Sequence, residues 1–431
     1  MADQKDNFLS AVLSHIKSKE AQKFVSAELS YHIKSAKQDW MKRGFSEAAA
    51  EVKAVEQMGS PNTIGRQFNQ LHRPRVDWLL VILLVTIMAF GFLPLMNLDE
   101  MYGNLATKKT FYILFGVITT IGLMLFDYRK FKNYGWLFYT IGILFLLALP
   151  FLPPAFAPRI NGIPYLKIGI GPVFESMTAL PFFYLAWSSF FQNNKFKVWQ
   201  FSGLFLISLF LFLPVSKLST TFIYIVMVFV MLWWSKFERK TVIFINSITL
   251  CFVTIAGIII WATIASYQKV RLLAFFNPEQ YSTTAGYQYL LIKKLFLAAG
   301  WFGQQKDKGM FPVSSDSFRD LAFVSVTYHF GWTMGIILVI ILSLFIARMI
   351  MFSQKVKDPY SKLLLIGGIT LFAVQLIYNI GMTLGYFPLT AMSLPFISYG
   401  LTPTLLNAGI IGIVLSVYRR KDLISSFERF S

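Results

Sequence analysis

The chain has 431 residues, of which 55% are hydrophobic and only 14% charged, with 44 phenylalanines and a mean hydropathy of +0.56. An ordinary soluble domain is about 25% charged, and no aqueous fold hides this much apolar surface. A soluble multi-domain enzyme, a disordered chain and a collagen-like fibre are therefore excluded. The net charge of +19 would favour nucleic acid on a soluble protein. Here the lysines and arginines gather in short segments between apolar runs, as in the cytoplasmic loops of membrane proteins, and no nucleic-acid partner is expected. Cys251, the single cysteine, excludes an intramolecular disulfide and a cysteine-based metal site.

Residues 1–76 form the first predicted domain. They hold eight of the twenty-one acids and no apolar run of membrane length, and their polarity argues against a cleavable signal peptide. Phe8, Val12, Ile16 and then Phe24, Leu29, Ile33 recur at helical spacing. Gly44 ends one helix, Ser46 caps the next, Gly59 ends that one, and Pro61 opens another. Glu28-Leu29…His32-Ile33, Gly44-Phe45-Ser46-Glu47-Ala48-Ala49 and Met58-Gly59-Ser60-Pro61 resemble the HAAS-type helical domain of some bacterial membrane proteins. The resemblance implies an interaction or sensing module and no chemistry.

Residues 77–420 read as a membrane domain of about ten helices, so the fold class is all-α and polytopic. The spans fall near Trp78–Leu95, Thr110–Phe126, Gly135–Leu152, Pro172–Phe191, Val198–Pro214, Leu218–Trp234, Val242–Ser266, Asp320–Met351, Leu363–Leu384 and Leu401–Tyr418. The eighth is overlong and is expected to tilt or to project beyond the bilayer. One set of short loops and the C-terminal residues 419–431, which include the 421–431 tail, carry fifteen lysines and arginines, among them Arg129, Lys195, Lys236, Lys355 and Arg420. The opposite set has five, Lys108, Lys109, Arg159, Lys167 and Lys217. The richer set belongs inside, which puts both termini in the cytoplasm and the long loop 267–319 outside. That loop is basic and rich in aromatic and aliphatic residues. It should fold against the membrane surface, and its charge suits an anionic head group.

Only twelve acids follow Asp77. Most sit among cytoplasmic basic residues and read as solvated loop charge. Glu175 lies near the start of an apolar run, where a carboxylate normally faces a cavity or a partner. Asp320 opens the eighth span at the outer interface, where a helix N-terminus favours an anion. It could accept a proton from an attacking hydroxyl or hold a divalent cation, or it could merely cap the helix beside Arg319. Asp316, one turn upstream, is the natural second carboxylate. His329 has no intramembrane His or Cys companion and reads as a buried, hydrogen-bonded residue. The stretch 379–400, rich in glycine, proline and hydroxyls, interrupts two spans. Non-helical backbone at that depth needs protein or a cavity around it, so it reads as a cavity wall or as a plain turn.

That stretch, Asn379-Ile380-Gly381-Met382 through Leu394-Pro395-Phe396-Ile397-Ser398-Tyr399-Gly400, closely resembles the C-terminal signature of the SEDS family (shape, elongation, division and sporulation; FtsW, RodA and SpoVE). Tyr267-Gln268…Arg271-Leu272…Phe276…Pro278 with Gly286-Tyr287-Gln288, and Phe318-Arg319-Asp320-Leu321-Ala322-Phe323 with Phe330-Gly331, resemble two further family segments. The resemblance covers about residues 78–420. It implies a peptidoglycan glycosyltransferase of the bacterial cytoplasmic membrane that polymerises lipid II in cell shape, division or sporulation, beside a class B penicillin-binding protein. It places Asp320 as the catalytic carboxylate, with a divalent cation, Mg or Mn, beside it and no organic cofactor. Glu175, Asp316, Arg319, Arg271, Gln288, Lys217, Ser398 and Tyr399 become substrate-binding candidates. The chain departs from the family where Lys217 replaces an acid, Thr178 a lysine, Tyr328 and His329 paired glutamates, and Leu401-Thr402-Pro403 a Gly-Ser-Ser. A non-catalytic scaffold recruiting the penicillin-binding protein and a lipid-linked precursor flippase are the alternatives.

Overall fold

The computed structural model describes residues 4–71, 76–96, 104–160, 163–167, 173–215, 218–263, 266–303 and 319–421. The chain divides into two units, one made of Met1–Asp77 with Val417–Ser431 and the other of Trp78–Ser416.

In the first unit, the capping residues set the helices α1 (Gln4–Ser14), α2 (Lys19–Lys42), α3 (Glu47–Met58) and α4 (Pro61–Leu71). The Ser18 and Ser46 hydroxyls accept from the N–H groups of Ala21 and Ala49, three residues on. Gly44 and Gly59 take φ of +90° and +89°, a conformation that suits glycine just beyond a helix end. Phe8, Val12 and Ile16 meet Val25, Leu29 and Ile33 in a closed apolar core, while Phe24 packs at its edge. Lys37 ties α2 to α3 through Glu51 at 2.8 Å and Glu47 at 3.0 Å, and those two bonds hold its ammonium above the usual lysine range. Arg420 also belongs to this unit. Its side chain is 1% exposed and meets Glu20 through two parallel bonds of 2.9 and 3.0 Å.

The second unit contains α5 (Trp78–Phe90), α6 (Leu105–Leu125), α7 (Gly135–Phe151), α8 (Leu180–Gln192), α9 (Val198–Val215), α10 (Leu218–Trp233), α11 (Arg239–Thr263), α12 (Ser266–Phe276), α13 (Tyr287–Ala298), α14 (Ala322–Ser353), α15 (Pro359–Thr383) and α16 (Leu401–Arg420), whose last four residues, from Val417, fall in the first unit. Two antiparallel two-residue ladders, β1 (Arg159–Ile160) with β2 (Ile163–Pro164) and β3 (Leu166–Lys167) with β4 (Val173–Phe174), precede α8. Seven described helical segments are long and apolar enough to cross a membrane, and the chain is a multi-pass membrane protein. Within the crossing segments α16 is 78% buried, α15 67% and α6 only 17%, so α15 and α16 are the most enclosed and α6 is peripheral.

Small residues let these helices close on one another, as van der Waals packing in lipid requires. A Cβ on Gly367 of α15 would stand 2.7 Å from the Tyr184 ring of α8 and 2.8 Å from the Met231 sulfur of α10. Thr120 of α6 donates to the Ala408 carbonyl of α16 at 3.1 Å, and a Cβ on Gly412 would meet α6 backbone at 2.9 Å. Tyr184 donates to the Leu364 carbonyl, which satisfies a buried phenol inside the bundle.

Three expected boundaries move. The fourth span is shorter than Pro172–Phe191, because β4 and a 3-10 turn (Ser176–Ala179) come before α8. The second begins at Leu105 rather than Thr110, which brings Lys109 inside the helix. The eighth is long because it is two helices joined across a kink at Gly331 (φ 87°, ψ 168°).

Candidate functional site

The break in α14 is built by the large loop. Gly331 interrupts the ladder, and the N–H groups of Trp332 and Thr333 donate instead to the carbonyls of Gly300 and Trp301, at 3.0 and 3.1 Å. A Cβ at Gly331 would lie 2.3 Å from the Trp301 oxygen, so the position demands glycine on both conformation and space. Upstream, α13 lays Ile292 and Leu295 against Leu321, Val324 and Tyr328, and Phe296 sits 5.0 Å from the Trp332 ring. The described part of the large loop, 267–303, holds two helices, α12 and α13, and α13 packs on the start of α14. Every residue from Ala322 to Tyr328 is buried, so the piece before the break is a short helix enclosed by protein.

Asp320 stands in the turn just before that short helix, one residue ahead of the capping position taken by Leu321. It is half-buried. Three side chains fix the backbone around it. Asn379 of α15 donates to the Asp320 carbonyl at 2.9 Å and to the Met392 carbonyl at 2.6 Å. The Ser398 hydroxyl donates to the Arg319 carbonyl at 2.5 Å and accepts from the Leu394 N–H at 2.7 Å. Lys109, fully buried, donates to the carbonyls of Phe396, Ile397 and Ser398 at 2.8, 3.3 and 2.8 Å. Those three acceptors match the three donors of an ammonium. Phe396 holds φ +59°, and a Cβ on Gly91 would meet its carbonyl at 2.6 Å. The 386–400 segment is thereby set as a shaped wall beside Asp320.

Of the other residues singled out, Arg319 and Tyr399 come to this corner. Arg319 is exposed. The Tyr399 ring lies 5.5 Å from Tyr112, and burial raises the pKa of its hydroxyl against the opposing charge of Arg319. Ser398, expected to touch substrate, is 2% exposed with its hydroxyl engaged on both sides, which makes it a positioning residue. Glu175 is half-buried and leads the 3-10 turn before α8, outside the helix. Arg271 on α12 and Gln288 on α13 are exposed. Asp316 and Lys217 lie outside the described residues.

Lys109 was assigned to a loop by its sequence, and only its burial among carbonyls from residues 396–398 shows its part. Asn379 was visible only as a letter of the signature. Beside the corner, α12, α13, α14 and α15 border a cleft of about 410 Å³ lined by Phe275, Phe296, Trp332 and Met382, with Tyr289, Lys293 and Thr383 as its polar side chains. The Tyr289 hydroxyl accepts from the Leu389 N–H at 2.9 Å, which joins the loop helices to the 386–400 wall. Among the described residues no group of three or more His, Cys, Asp or Glu could hold a metal. A divalent cation at Asp320 would need further oxygen donors besides this carboxylate.

Known proteins show the same pattern. A probable peptidoglycan glycosyltransferase FtsW of Trichlorobacter lovleyi is 28% identical over 155 residues, which are 36% of this chain and 41% of that one. The match therefore spans about two-fifths of that relative. The probable peptidoglycan glycosyltransferase FtsW of Geobacter metallireducens is 24% identical over 368 residues, 80% of this chain and 95% of that one. A solved chain from a peptidoglycan synthase complex that coordinates polymerization and crosslinking superposes with a TM-score of 0.67 at 21% identity. It covers 80% of this chain and 98% of its own length, which shows a shared fold. The family model for FtsW, RodA and SpoVE, described as cell cycle protein, matches residues 75–423. The match runs through the broken α14, Asp320 and the 379–400 signature, and the chain belongs to the FtsW/RodA/SpoVE family of cell cycle proteins.

Proposed function

We propose that this protein is a peptidoglycan glycosyltransferase that polymerises lipid II. The observation that carries the proposal is the fixed, half-buried Asp320 at the mouth of an enclosed helix, its backbone held by Asn379 and its neighbour's by Ser398, in a chain matched by the family over residues 75–423. In the reaction, a sugar 4-hydroxyl attacks the anomeric carbon of a lipid-linked sugar. The new C–O bond forms as the bond to the undecaprenyl pyrophosphate breaks. Asp320 accepts the hydroxyl proton, and general-base assistance of this kind contributes about 10²–10⁴-fold. Arg319 beside it, with Arg271 and Gln288 on the loop helices, offers donors to the pyrophosphate and sugars, and Tyr399 borders the acceptor. Glu175, Asp316 and Lys217 are further substrate contacts in this reading. The leaving pyrophosphate would be the place for a shared Mg²⁺ or Mn²⁺, which supplies charge neutralisation when bound. The apolar cleft beside the corner suits an isoprenoid tail.

The loop charges support ten crossings with both termini in the cytoplasm and Asp320 on the outer side of the bacterial cytoplasmic membrane. A class B penicillin-binding protein is the expected partner for crosslinking. Purified protein should make glycan from labelled lipid II, with or without that partner present, and Asp320→Asn should lower the yield at least about 100-fold while the thermal midpoint is kept. Full activity in Asp320→Asn would remove Asp320 from the chemistry. No polymer from the wild-type chain in any combination would favour a non-catalytic scaffold.

A further inference from the structure

At the end of the bundle where α7, α8 and α10 meet short basic loops, a cleft of about 510 Å³ is lined by three lysines from three separate connections. Lys132 lies in the 3-10 turn before α7 (Tyr128–Tyr134), Lys195 in the turn between α8 and α9, and Lys236 in the turn between α10 and α11. No carboxylate lines the cleft, and none of the three lysines forms an ion pair among the described residues. The acid in the same turn as Lys132, Asp127, is already held by Arg129 at 2.8 Å. Among the described residues, the lining of the cleft therefore carries positive charge and no carboxylate, the nearest acid in sequence to Lys236 being the exposed Glu238 outside the lining.

Its walls are built rather than incidental. Ser189 of α8 donates to the Lys132 carbonyl, the Lys236 N–H donates to the Phe191 carbonyl at 3.1 Å, and the Lys195 N–H donates to the Asn193 side chain at 2.9 Å. All three connections are thus tied to the last turn of α8 or the residue after it. The fourth wall is Trp136, whose ring is 58% exposed on the first turn of α7 and next to the equally bare Leu137. A tryptophan between an apolar span and polar loops marks the head-group level, so the cleft opens toward lipid.

We propose that this cleft binds the phosphate head group of an anionic phospholipid, with the acyl chains lying along α7 beside Trp136. A lysine near a lipid surface strengthens such binding by about fivefold, so three together give on the order of a hundredfold. Uncharged amides from Asn193 and Asn194 add donors that a zwitterionic head group would use equally, which leaves the lysines as the source of selectivity. The cleft lies apart from the Asp320 corner, so the proposal does not depend on the glycosyltransferase reading.

Native mass spectrometry of the full-length protein in detergent tests it, with phosphatidylglycerol, phosphatidylcholine and sn-glycerol 3-phosphate added in separate arms. Phosphatidylglycerol adducts should persist and phosphatidylcholine adducts should not. The Lys132→Ala/Lys195→Ala/Lys236→Ala variant should lose the preference, while Lys240→Ala/Lys355→Ala/Lys357→Ala, which removes as much charge from loops outside the cleft, should keep it. If the first variant does not fold, Lys195→Glu alone should weaken binding and Lys195→Arg should retain it. Equal loss in both triple variants, retention in the cleft variant, or full displacement by glycerol 3-phosphate would overturn the proposal.

Discussion

Lys109 shows how one side chain can decide the shape of a site without touching a substrate. Its ammonium gathers three consecutive carbonyls and so holds the 396–398 backbone in a conformation that includes a positive φ at Phe396. Lys109→Met keeps the length of the side chain and removes the donors. Each buried acceptor then left unsatisfied costs about 1–3 kcal/mol, and the thermal midpoint should fall by several degrees. Polymerisation of lipid II should fall with it, since Ser398 bridges this wall to Arg319. Unchanged stability in Lys109→Met would show that the wall holds itself. None of this is legible in Lys108-Lys109 as a pair, which reads as loop charge. The helix turns one lysine into the protein and leaves the other outside, and the acceptors come from nearly 290 positions further along. Asp320, by contrast, stood out early because acids are so scarce after residue 77.

Among the elements, α14 differs most from its expected form. An apolar run gives no sign of a helix break, because both halves are apolar and a single Gly is tolerated inside a helix. The break exists because the large loop supplies carbonyls to the freed N–H groups, and that is a tertiary fact. Gly331→Ala would force a Cβ into the Trp301 carbonyl at a φ that side chains avoid, with a strain of about 1–3 kcal/mol before the overlap is counted. The loop should detach from α14. Trypsin should then cut at Lys293 or Lys294 faster than in the wild-type protein, and an unchanged cleavage rate would show that the loop is held by α13 alone. The helix ends at Ser46, Gly59 and Pro61 were predictable, since capping is a local matter. The position of most spans was predictable too, since lipid demands length and apolarity and little else.

For the whole molecule, the unit formed by residues 1–77 and 417–431 joins the two ends of the sequence through Arg420 and Glu20. Both read as ordinary polar residues in sequence, and a contact across 400 positions has no local signal. Glu20→Ala would leave a buried guanidinium without its carboxylate, a loss near the lower end of the roughly 3–5 kcal/mol for a broken buried pair, because Glu20 is itself 39% exposed. Thermal unfolding of the full-length protein should show this as an earlier transition, and adding Arg420→Leu to Glu20→Ala should recover part of it. No change in Glu20→Ala would mean that the guanidinium is satisfied elsewhere. The same unit has a closed core of its own, so its loss of stability need not follow that of the membrane helices.

The broken α14 also divides one element into two pieces with different surroundings. The piece from 332 to 353 alone rises roughly 33 Å, enough to cross the roughly 30 Å hydrocarbon layer. The enclosed piece that begins beside Asp320 is then surplus to the crossing and belongs at the level of the lipid head groups. A proton can move to and from the carboxylate there without a charge being carried into hydrocarbon. A lipid-linked sugar can present its polar end at the same height while its chain never leaves the bilayer. The glycine that looks like a flaw in a membrane helix is what lets one element span below the break and lead into the Asp320 turn above it.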